Sequence, residues 1–67
     1  MWEYIDYHKL YAKLNNKHCS IWYDSYIHEW RWILLEFTVD SGIVSVTGAN
    51  KSLSAAMLIA ERSANRE

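Results

Sequence analysis

Residues 26–39, YIHEWRWILLEFTV, leave few folds open to the chain that carries them. At the period of two that a strand imposes, Ile27, Ile33, Leu35, Phe37 and Val39 share one face, and Trp30, Trp32 and Leu34 share the other. Both faces are apolar through the middle, so a strand here asks for cover on each side. If helices pack on one face, the second, with its two tryptophans, needs a partner or further burial.

The chain is 67 residues long, enough for one domain, residues 1–67, in which large side chains must supply the buried area. Four Trp, five Tyr and one Phe meet that need. The absence of proline and the presence of only two glycines argue against a flexible, linker-rich chain. A lone cysteine, Cys19, has no internal disulfide partner, and no leader pattern opens the chain. The longest apolar run, Trp32 to Leu35, is far too short to span a membrane, so a soluble, cytoplasmic protein is expected. Seven Lys and Arg stand against eight Asp and Glu, and this near-neutral balance lacks the positive field that drives most nucleic-acid binding.

In chain order, residues 2–16 place Tyr4, Tyr7, Leu10, Tyr11 and Leu14 at spacings of three and four, the pattern of an amphipathic helix. Asn15-Asn16 reads as its C-terminal stop. Residues 19–25 alternate Cys19, Ile21 and Tyr23 against Ser20, Trp22 and Asp24, as a first strand would. The strand at 26–39 follows, and Asp40-Ser41-Gly42 turns it into a third at 43–47. Beyond Gly48, Leu53, Ala56, Met57, Ala60 and Ala64 mark a second helix, capped by Asn50 or Ser52. The expected fold is α+β, in the order α-β-β-β-α, with a three-stranded antiparallel sheet and two helices packed on one face.

Residues 37–64, FTVDSGIVSVTGANKSLSAAMLIAERSA, run strand, turn, strand, glycine-bearing loop and alanine-rich helix. In that order of elements the chain resembles the double-stranded RNA-binding domain. That family's helix-start cluster, Lys-Lys-x-Ala-Lys, falls on Asn50-Lys51-Ser52-Leu53-Ser54, where Lys51 alone matches. The resemblance implies phosphate contacts from Lys51, a minor-groove contact from the loop carrying His28, and further contacts from the first helix, with Lys9 and Lys13. The loop, Asp24 to His28, lacks the family's Gly-Pro.

The tryptophan face supports a different expectation. With both helices over Ile33, Leu35 and Phe37, the rings of Trp22, Trp30 and Trp32, with Leu34 and nearby Arg31, form an open aromatic surface of the kind that dominates protein interfaces. The alternative is that these rings are core. An interface expects Trp30→Ala or Trp32→Ala to weaken binding by about 2 kcal/mol or more with the fold intact. Stacking of single-stranded bases is a further use of such a face, but Asp24, Glu29 and Glu36 interleave with the rings and repel phosphate.

His8, His18, His28 and Cys19 are ligand types without the spacing of a compact metal site, so no metal or cofactor is expected. His18 and Cys19 are neighbours in a strand and point to opposite faces, which makes a buried, structural thiol the expectation. Ser41, Ser45, Ser52 and Ser54 have no evident base partner, and no paired carboxylates suggest acid–base work. The sequence therefore points to a non-catalytic protein-binding module, acting as a homodimer, an inhibitor or an adaptor, with nucleic-acid binding as the alternative. Its compact, proline-free style resembles the small accessory proteins of phages and other mobile elements.

Overall fold

In the computed structural model, which describes residues 2–40 and 42–66, five strands precede a single helix. They are β1 (Glu3–Asp6), β2 (Lys9–Leu14), β3 (Lys17–Asp24), β4 (Glu29–Thr38), β5 (Gly42–Asn50) and α1 (Leu53–Ala64). The strands form one antiparallel sheet in the order β1-β2-β3-β4-β5, so each is hydrogen-bonded to its neighbour in sequence. The chain is a small α+β domain, but the expected α-β-β-β-α order with three strands and two helices does not form. The resemblance to the double-stranded RNA-binding domain fails with it, because β1 and β2 stand where that architecture has its first helix.

Residues 2–16 fold as strands for a local reason. Asn15 and Asn16 both take positive φ, 51° and 65°, and Leu14 pairs directly with Lys17 across them. That is the geometry of a two-residue hairpin turn, whose backbone twist matches the strands it joins, and asparagine tolerates it well. The same dipeptide read as a helix stop is thus a turn between β2 and β3. The tyrosines at three- and four-residue spacing are also strand formers, and Leu10, Ala12 and Leu14 alternate. At the preceding turn the Asp6 carboxylate accepts a hydrogen bond from the His8 backbone N–H at 2.8 Å, and a bulge lies between Tyr4 and Asp6.

The remaining turns are built similarly. After β3, the Asp24 carboxylate accepts the Tyr26 backbone N–H at 2.9 Å, and His28 takes φ 56° before β4 begins. Where β4 turns into β5, Gly42, the first residue of β5, takes φ 76°; Ser41 of the expected turn lies outside the described residues.

The core lies between the sheet and α1. The register places Leu10, Ile21, Trp32 and Gly48 in one row across the sheet, and Ala12, Cys19, Leu34 and Val46 in the next. Leu10, Cys19 and Ile21 are fully buried, and Ala56, Ala60 and Ala64 of α1 close over this face. Three alanines at four-residue spacing leave no bulk between helix backbone and strands, so α1 can lie close to the sheet. Ser52 caps the helix, its hydroxyl accepting the Ala55 N–H at 3.1 Å.

Gly48 makes room for the Trp32 ring beneath α1. A Cβ at that position would stand 2.6 Å from Cζ2 and 2.7 Å from Cε2 of Trp32, so the indole occupies the space a side chain would fill. The indole N–H then donates to the Asn50 side-chain oxygen at 3.3 Å, giving the buried ring's polar atom a partner.

Three hydrogen bonds tie α1 to the first part of the chain. Trp2 Nε1 donates to Glu61 Oε2 at 2.9 Å. Asn15 Nδ2 and Lys17 Nζ both donate to the Ala64 carbonyl, at 3.0 and 2.9 Å. A cation on a terminal carbonyl also suits the helix dipole. Among the described residues no helix is long and apolar enough to cross a membrane.

Trp32→Ala is expected to cost about 3–5 kcal/mol, as large-to-small changes of buried aromatics do. Gly48→Ala is expected to cost about 1–3 kcal/mol by overpacking against the same ring. Urea unfolding measures both; a Trp32→Ala protein as stable as the parent would show that the ring is not core.

Candidate functional site

The same register that buries Trp32 determines what the uncovered face displays. Lys9, Trp22, Arg31 and Ala49 form one row, Tyr11, Ser20, Ile33 and Thr47 the next, and Lys13, His18, Leu35 and Ser45 a third. Phe37 and Ile43 extend the face at its far end as a direct pair. No described helix or strand covers these side chains. Phe37 is 61% exposed and Ile43 62%, while Trp22, Ile33 and Leu35 are half-buried.

Contacts within the face hold it in shape. The Tyr11 hydroxyl and His18 Nδ1 are hydrogen-bonded at 2.6 Å. The His18 ring meets Phe37 edge-on, with centroids 5.6 Å apart. At the other end a shallow depression is lined by Lys9, Ser20, Trp22 and Ile33. Beside it Arg31 Nε donates to Asp24 Oδ2 at 2.7 Å. The Asp24 carboxyl is held below the usual carboxylate range, first by the Tyr26 backbone N–H and then by the Arg31 guanidinium. This pair is solvent-screened and orients Arg31 more than it stabilises the fold.

The expected protein-binding residues divide between the two faces. Trp22 and Arg31 lie on the open face. Trp32 and Leu34, 4% and 3% exposed, lie beneath α1. Trp30 is half-buried on the helix side, where its ring packs edge-on to Tyr23 at 5.3 Å and lies 6.3 Å from His8. Trp22 pairs with Arg31 and Trp32 with Ile21, so Trp22 and Trp32 point to opposite sides of the sheet. An expectation that Trp22, Trp30 and Trp32 share an open surface is therefore not met. Tyr11, His18, Phe37 and Ile43 belong to the open face instead; Phe37 was expected under the helices, and recognising the Asn15-Asn16 turn would have placed Tyr11 on a strand.

The expected nucleic-acid residues are dispersed. Lys9 and Lys13 lie on the open face of β2, His28 sits in the β3–β4 turn with its Nδ1 3.4 Å from the Tyr23 hydroxyl, and Lys51 follows β5, exposed. Among the described residues no three of His, Cys, Asp and Glu come together to hold a metal. No protein-family model, curated protein or solved structure matches this chain.

Cys19 lies in the core, fully buried, with its thiol pushed up to about 11 by burial first and then by the charge of Glu61. The folded protein therefore holds the thiol proton at pH values where the unfolded chain releases it. This contribution to stability is whole below an ordinary thiol value of about 8.5 and is lost as pH rises towards about 11. Cys19→Ala is expected to flatten that part of the alkaline fall in stability, measured by urea unfolding from neutral pH upward. In the parent protein, alkylation of Cys19 is expected to keep pace with unfolding rather than with reagent concentration; fast labelling of the folded chain would contradict a buried thiol.

Proposed function

We propose that this chain is a non-catalytic protein-binding module whose contact surface is the open face of its sheet. The observation that carries the reading is the apolar strip from Trp22 through Ile33 and Leu35 to Phe37 and Ile43, left uncovered while the only described helix packs on the other side. Monomeric domains rarely leave such a strip to solvent without a use for it. Its residue types suit a protein partner: aromatic rings and an oriented Arg31 are enriched where binding energy concentrates.

Charge on the same face favours a protein over a nucleic acid. Lys9, Lys13 and Arg31 are offset by Glu3, Asp6, Asp24 and Glu29, whose register places them on this side of the sheet. A strand of phosphates would meet four carboxylates there. A single, buried, free thiol suits a reducing compartment, and a cytoplasmic adaptor or inhibitor fits the reading.

Phe37→Ser tests it, because a side chain this exposed contributes little to the fold. Parent and variant chains are immobilised and exposed to the same cell lysate, with thermal melting run alongside. The expected result is a retained protein whose affinity falls by a factor of ten or more in the variant, at an unchanged melting temperature. Equal retention of every protein by both chains would remove the open face from the function. Retention of single-stranded nucleic acid that is lost in Lys9→Ala would replace the protein partner with another.

A further inference from the structure

The two edges of the sheet are built in opposite ways. β1 is four residues long, is broken by the bulge between Tyr4 and Asp6, and carries Glu3 and Asp6. Short length, a bulge and charge are the devices by which natural sheets stop an edge from pairing. β5 has none of them. It runs nine residues in unbroken register against β4, from Thr38↔Gly42 to Trp30↔Asn50, and has no charged residue and no proline. No described strand lies beyond it in the sheet, so alternate backbone N–H and C=O groups along its outer side have no strand to meet.

We propose that β5 pairs antiparallel with β5 of a second copy, making a continuous ten-stranded sheet about a two-fold axis. A second copy is the occupant the edge itself specifies, because an antiparallel strand pairs with its own duplicate without needing any other complementary sequence. The guarded β1 edge blocks the alternative of β5 joining β1 of the next molecule, which would propagate as an open filament. Pairing therefore closes at two copies.

Side chains on both sides of the seam agree with this. In a two-fold pairing each residue of β5 lies opposite one from the same face of the sheet. With Val46 at the axis, Val44 meets Gly48 and Ile43 meets Ala49 of the second copy, large against small on each face. On the helix side, Val44 and Val46 are 42% and 46% exposed and form the β5 end of a groove that runs back over Glu36 and Lys17 to Ser63 of α1 and to Arg66 beyond the helix. The seam would border the β5 end of this groove. A strand of nine residues at about 3.3 Å each is roughly 30 Å long. Over the smallest molecular dimension of 18 Å, that allows roughly 500 Å² per copy, the size at which specific interfaces begin, about 1,000 Å² in all.

The axis is perpendicular to the sheet, so both helices fall on one side and both open faces on the other. The pairing uses the β5 edge alone and goes beyond the open-face reading, so the two can fail separately. Sedimentation equilibrium and amide hydrogen exchange over a range of protein concentration test it on the parent chain, Val46→Lys and Phe37→Ser.

The expected result is twice the monomer mass for the parent and for Phe37→Ser, with protection at alternate amides between residues 43 and 50 that grows with concentration. In Val46→Lys, where two like charges meet at the seam, dissociation is expected to rise at least tenfold. The exchange measurement on the parent stands even if that variant fails to fold. A parent that stays monomeric into the millimolar range would overturn the proposal. So would a dimer lost in Phe37→Ser but kept in Val46→Lys, which would place the second copy on the open face, or a monomer whose β5 binds a strand of another protein.

Discussion

Much of the structure depends on one ring lying over one glycine. The Trp32 indole fills the space above Gly48, and only a residue without a Cβ permits it to lie there. With the ring seated, α1 can come down on Ala56, Ala60 and Ala64, and Leu10, Cys19 and Ile21 lose their contact with water. A domain of this length has a stability of roughly 0.05–0.15 kcal/mol per residue, so the contribution of one large buried ring is a considerable fraction of the whole. The asymmetry between the faces follows from it. One face is closed by a helix, and the other retains its own apolar strip.

The second constraint is the tie between the first hairpin and the last helix. Asn15 takes the left-handed backbone that the β2–β3 turn requires and also places its amide on the Ala64 carbonyl. Lys17, the first residue of β3, reaches the same carbonyl, and Trp2 reaches Glu61 one turn earlier. A meander alone makes contacts mostly between neighbouring strands. These three bonds span 47 to 59 residues and convert a string of hairpins into a closed domain.

The sequence made part of this legible. Strands within 19–25, 26–39 and 43–47 and a helix from Leu53 onward follow from alternation and from alanine spacing, and β3, β4, β5 and α1 occupy those places. The N-terminal segment misled because tyrosines three and four apart satisfy a helical period while Leu10, Ala12 and Leu14 satisfy a strand period. Asn15-Asn16 resolves the conflict only when read as a hairpin turn. The site was harder still. β4 is apolar on both faces, so alternation could not say which would be covered; Gly48, which makes room for Trp32, lies on a different strand and is set beside it only by register. Trp22 and Trp32 look equivalent along the chain and are separated only by the pairing of β3 with β4.

The position of α1 after all five strands has a consequence for how the protein folds. The meander precedes the segment that covers it, so a chain whose sheet pairs before α1 packs exposes Trp32, Leu34 and Ile21 on one side and its open-face strip on the other. The dozen residues of α1 therefore limit misassociation, and how fast they pack sets how long such a sheet stays exposed.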